Sequence, residues 1–137
     1  MNDQRIKGYL ITKSLHRAKR AVSEGFYLEA IVLVDSLITD RLNVIAHYSA
    51  EVKVQVKGVN NGVRNLTNAQ VKIFDSGLIE ETLIWGKSRN AAVHGFSKLG
   101  EYEDLGWNQR INKSKCSAED GLKLAKRWLA EAKKHRI

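Results

Sequence analysis

FYLEAIVLVDSLITDRLNVIAHY, residues 26–48, is the stretch that decides the fold. Phe26, Ala30, Val34, Leu37 and Ile45 recur at helical spacing and line one side of an α-helix. Ile31, Ile38 and Leu42 widen that side. A broad apolar stripe suits a helix that touches two neighbours, as in a bundle. Arg41 interrupts the stripe, which places this end near a cleft, a core edge or an interface.

The flanking sequence extends the same pattern. In residues 5–24, Ile11, Leu15, Ala18 and Val22 form a second helical stripe, and Gly25 marks the break after it. Val52, Val54 and Val56 alternate with Lys53, Gln55 and Lys57, a two-residue period that favours extended chain. Gly58 and Asn60-Asn61-Gly62 carry turn chemistry, so residues 50–66 read as a small β-hairpin or an extended loop. Thr67 and Gln70 have capping-box spacing, and Ile73, Phe74, Leu78, Ile84 and Trp85 carry a helix over 67–86. A short helix follows over about 89–98, then a loop over 99–116. Ser117 and Asp120 form a second capping box. Ala118, Leu122, Ala125, Leu129 and Ala132 make the inward stripe of the last helix, with Trp128 at its border. The expectation is an all-α antiparallel bundle of four main helices plus a short one, in a single domain over 1–137.

The composition fits one packed domain: 137 residues, 43% hydrophobic, and no proline to break a helix. The formal charge of +8 favours encounter with polyanions, nucleic acid first and an anionic membrane second, although charge alone also serves solubility. Basic residues concentrate in the first and last segments. If those helices are neighbours, they make one basic surface. Lys87, Lys123, Arg127 and Lys134 are the candidate RNA contacts. Cys116 is the lone cysteine, so neither an internal disulfide nor a thiolate zinc cluster can form. The strongest apolar run, Ala30–Val34, is too short to span a bilayer, and the polar N-terminus lacks a secretion signal. A cytoplasmic protein without membrane association is expected.

His16, His47, His94 and His135 are scattered, and H-E-x-x-H, C-x-x-C, P-loop and G-x-S-x-G patterns are missing. No metal and no cofactor are therefore expected. What remains is chemistry by histidine and arginine, and Arg89-Asn90-Ala91-Ala92-Val93-His94-Gly95 is its best setting. Histidine exchanges a proton near neutral pH, and arginine binds a phosphate through paired hydrogen bonds. Asn90 shares a helix face with His94, while Arg89 lies about 140° around the cylinder from His94. A single site then needs a long reach by Arg89, a local irregularity or a second subunit. Arg41 and His47 fit the same spacing, and about one chance match is expected in this chain. The plain alternative is a helix-start arginine and a packed histidine.

Residues 89–95 resemble the Arg-x4-6-His signature of the HEPN superfamily, the higher eukaryotes and prokaryotes nucleotide-binding domain. Asn90 after the arginine, Gly95 after the histidine, and the position after a long helix extend the likeness, which covers about residues 5–135. The resemblance implies a homodimeric helical bundle that cleaves RNA without metal, leaving a 2′,3′-cyclic phosphate. His94 would be the general acid or base, Arg89 would hold the scissile phosphate, and Asn90 would orient the pair. It also implies a toxin or an antiphage defence component with an antitoxin or regulatory partner, or else a non-catalytic RNA-binding or adaptor module. Members silenced by adenylylation carry a tyrosine two residues after the histidine; Phe96 stands there in this chain, so that modification has no acceptor.

Overall fold

The computed structural model describes residues 3–49, 56–97 and 106–135. They form α1 (Asp3–Glu24), α2 (Tyr27–Ser49), α3 (Val59–Asn68), α4 (Leu78–Ser97) and α5 (Trp107–His135). The all-α expectation stands as a bundle of five helices among the described residues. The hairpin does not, because no β-strand occurs among them. Residues 50–55, which include Val52 and Val54, lie outside the described part.

The physical reason for that correction lies in α3. Val59, Val63 and Leu66 have helical spacing and are all buried, beside buried Val56. Asn61-Gly62 is therefore not a turn. At Gly62 a Cβ would stand 2.7 Å from Val56 Cγ1 and 2.8 Å from Leu42 Cδ1, so the glycine serves a close approach to α2.

Two helix ends use the same device with different residues. At the end of α1, Phe26 N–H donates to Ala21 O at 2.8 Å and Gly25 N–H to Val22 O at 3.2 Å, with Gly25 at φ +85°. That is a Schellman stop, and glycine makes it legible. At the end of α3, Val71 N–H donates to Leu66 O and Gln70 N–H to Thr67 O, both at 3.0 Å, with Gln70 at φ +57°. A left-handed glutamine disguises the stop. Thr67, expected to start a helix, sits in the last turn of α3 and donates its hydroxyl back to Val63 O at 2.9 Å.

The expected helix over 67–86 and the short helix over 89–98 are thus redrawn. Residues 69–77 are loop, and α4 runs unbroken from Leu78 to Ser97. The last helix begins at Trp107, not at Ser117, and Ser117 is buried inside it. Trp128, expected at a border, is fully buried instead. Its Nε1–H donates to Thr82 Oγ1 at 2.9 Å, and that hydroxyl donates to Leu78 O at 2.7 Å.

The four long helices alternate in direction, so α2 and α5 run parallel and pack on each other most extensively. Around this pair the core collects Ile38, Leu42 and Ile45 from α2, Leu66 from α3, Leu78 from α4 and Trp128 from α5. A smaller cluster of Ala21, Ala30, Ile31 and Ala118 lets α1, α2 and α5 approach closely. α1 lies mainly on α2 and also touches α5. Among the described residues, no helix is long and apolar enough to cross a membrane.

Candidate functional site

Because α4 is continuous, Lys87, Asn90 and His94 fall at spacings of three and four and share one stripe, and all three are exposed. Arg89 belongs to a neighbouring stripe with Trp85 and Val93. Its guanidinium lies 5.6 Å from the Trp85 ring centroid, a cation–π contact. Nη1 donates to Asp35 Oδ1 of α2 at 2.5 Å, and Nη2 donates to Asn90 Oδ1 at 2.8 Å. Asn90 therefore spans the angular gap between Arg89 and the His94 stripe. The two bonds use two of the five N–H donors of the guanidinium.

The floor under Arg89 is set from α5. Trp85 is buried, and its Nε1–H donates to Ser117 O at 2.8 Å. Gly121 makes room for the ring, since a Cβ there would stand 2.7 Å from Trp85 Cζ2. Beyond His94, Arg110 of α5 donates from Nη1 to Gly95 O, and the Phe96 and Trp107 rings meet edge-on at 5.5 Å. These contacts fasten the end of α4 to the start of α5. One turn from the Arg89–Asp35 bridge, Val32 of α2 and Val93 of α4 are both exposed.

The four expected RNA contacts are not gathered around this site. Lys87 stands one turn from Asn90. Lys123 is exposed on α5. Arg127 donates to both oxygens of Asp75, at 2.9 and 3.0 Å, and to Glu81 Oε2 at 2.6 Å. These bonds raise the Arg127 pKa and hold the Asp75 carboxyl below its ordinary value, chiefly through the hydrogen bonding. Lys134 lies close enough to Asp75 to lower it further. Asp75 precedes α4, whereas His94 is near its other end, about 25 Å away by helical rise. Arg127 and Lys134 thus sit at the opposite end of α4 from His94.

The competing Arg41–His47 pair resolves differently. Arg41 is buried at 3% exposure and donates to Asp40 Oδ2 from Nε at 3.1 Å and Nη2 at 2.5 Å. His47 is exposed and edge-on to Tyr48.

Asp35 and Trp85 were not read as site residues in the sequence. An acid inside the apolar run from Ala30 to Ile38 was the available signal for Asp35. Among the described residues, no group of three or more His, Cys, Asp or Glu side chains could hold a metal ion. No protein-family model, no curated protein and no solved structure matches the chain.

Proposed function

We propose that the protein is a HEPN-like, metal-independent endoribonuclease acting at Arg89, Asn90 and His94. The observation that carries this reading is the arrangement on α4. His94 is exposed, and Asn90, four residues before it, is bonded to the arginine that would hold phosphate. His94 takes the proton of the ribose 2′-hydroxyl or supplies one to the leaving oxygen. Arg89 stabilises charge growing on the phosphate. The nucleophile restricts the substrate to RNA. Lys87 adds a phosphate contact on the same stripe, and Lys123 a more distant one. Exposed Val32 and Val93 beside the site supply an apolar rim for a second copy of the chain, which would bring two sites together. In this reading the protein is a cytoplasmic toxin or antiphage component, restrained by a regulatory protein or antitoxin.

The test is incubation of RNA with purified protein in excess chelator, followed by analysis of the ends. Wild type should leave 2′,3′-cyclic phosphates, and H94A and R89A should each lose at least about 100-fold in rate while keeping their helical signal. Equal cleavage by all three proteins would remove the site assignment. The Asp35 bond to Arg89 favours a second reading, an RNA-binding or adaptor module without cleavage, because the guanidinium is already partly neutralised. That reading expects salt-dependent RNA binding and intact RNA.

A further inference from the structure

A second set of reactive groups meets where the parallel helices α2 and α5 end together. His135 is a buried residue of α5, and Ser49 is the exposed last residue of α2. Ser49 Oγ lies 2.7 Å from His135 Nδ1, and His135 Nε2 lies 2.7 Å from Glu131 Oε2. Glu131 has no exposed side-chain surface. It also accepts the Phe74 N–H on Oε2 and the Asp75 N–H on Oε1, each at 2.9 Å.

The protons in this chain can be placed. An ionised carboxylate only accepts hydrogen bonds, so Nε2 of the imidazole carries its proton toward Glu131. In the neutral ring Nδ1 is then an acceptor, and the remaining donor is the Ser49 hydroxyl. The order is hydroxyl, imidazole, carboxylate, with the base oriented by a third group. Holding the 74–75 loop requires only the carboxylate. The same carboxylate also fixes a histidine whose other nitrogen faces an exposed serine. The Phe74 ring lies 5.3 Å from the imidazole and is half exposed, an apolar shelf beside the hydroxyl. Lys72 Nζ stands 5.3 Å from the centroid of that ring.

We infer that Ser49 is an activated nucleophile toward carboxylic esters, with His135 as its base and Glu131 as the residue that positions the imidazole. Ser49 Oγ attacks the carbonyl carbon and gives its proton to His135 Nδ1. The ester C–O bond breaks, and the departing alcohol oxygen takes that proton. Water then attacks the acyl carbon and gives a proton to His135 Nδ1; the acyl C–Oγ bond breaks, Ser49 Oγ takes that proton back, and the carboxylic acid leaves. The apolar part of the ester rests on Phe74. This site is separate from the one on α4, since Asp35 lies about 20 Å back along α2 from Ser49.

The full chain is treated with a fluorophosphonate probe and, separately, with p-nitrophenyl acetate. The expected result is a single phosphonyl group on the peptide holding Ser49, formed at a rate that does not simply follow hydroxide concentration. S49A should abolish both the adduct and ester turnover, and H135Q should slow labelling by about 100-fold or more. E131Q should change the pH profile of labelling, which a purely structural carboxylate would leave in place. Labelling of S49A as fast as wild type, or no adduct at Ser49 in folded wild type, overturns the inference. A labelling rate that simply follows hydroxide concentration overturns the role of His135, and this reading needs no variant to fold. RNA cleavage by S49A should equal wild type, so failure here is distinct from failure at His94.

Discussion

The surroundings of His94 and His135 differ in almost every respect. His94 stands exposed on α4, within a short run of residues whose spacing drew notice. His135 is buried, and its partners come from α2 and from its own helix. One segment is recognisable because its residues are close in sequence. The other is assembled by two parallel helices whose ends happen to meet, with Ser49 and His135 far apart along the chain. A local pattern marks where chemistry can be written in a sequence; the packing of long helices decides where else it is available.

The difference can be broken by substitution. Glu131→Ala should have the largest effect, about 3 kcal/mol or more of stability, because it leaves the Phe74 and Asp75 N–H groups and His135 without their partner. Urea unfolding should record this as a lower midpoint at unchanged slope. His94→Ala, by contrast, should stay within about 0.5 kcal/mol of wild type, as expected of an exposed side chain. A large loss in H94A would mean that the exposed histidine is a structural part of the bundle.

Asp35→Asn sharpens the reading of Arg89. Removing the carboxylate charge should raise RNA affinity several-fold at low salt and steepen its salt dependence, measured by titration at two ionic strengths. Unchanged affinity would mean that Arg89 does not meet phosphate.

Acid should act on the α5 end more than on the α4 site. Burial pushes Glu131 up, but the bonds from Phe74, His135 and Asp75 outweigh it, and its pKa lies below the ordinary value. Asp75 is lowered too, first by its hydrogen bonds from Arg127. Lowered folded-state values mean that the stabilisation is complete above the unfolded range, near pH 4, and fades as pH falls through the folded values. Midpoints of urea unfolding should therefore decline below about pH 4, with a shallower decline in Glu131→Gln. A small gain, about 0.5 kcal/mol in urea unfolding, is expected from Gln70→Gly, which relieves the left-handed backbone at the end of α3.

Much of the fold was legible where local rules act alone. The stripe over 26–48 and the glycine stop at Gly25 announce α1 and α2 directly. The part that was not legible is held from a distance. Ile73 and Phe74 carry an apolar rhythm, yet the Glu131 carboxylate captures the Phe74 and Asp75 N–H groups, and the segment is loop. Gly62 carries turn chemistry, yet it lies inside α3, where a Cβ would meet Val56 and Leu42. The start of α5 at Trp107 is tied to α4 through Arg110 and Phe96, contacts that no capping pattern announces. For the candidate site, the spacing named Arg89, Asn90 and His94, but Asp35 and Trp85 became visible only when α2 and α5 were in place.

The ring beneath Arg89 has a consequence for spectroscopy. Of the three tryptophans, Trp107 is exposed, Trp128 is sealed in the core, and Trp85 touches the guanidinium. Replacing Trp107 with phenylalanine removes the emitter most open to collisional quenchers. The remaining fluorescence then combines a silent interior reference with an optical reporter that responds when Arg89 exchanges one anion for another.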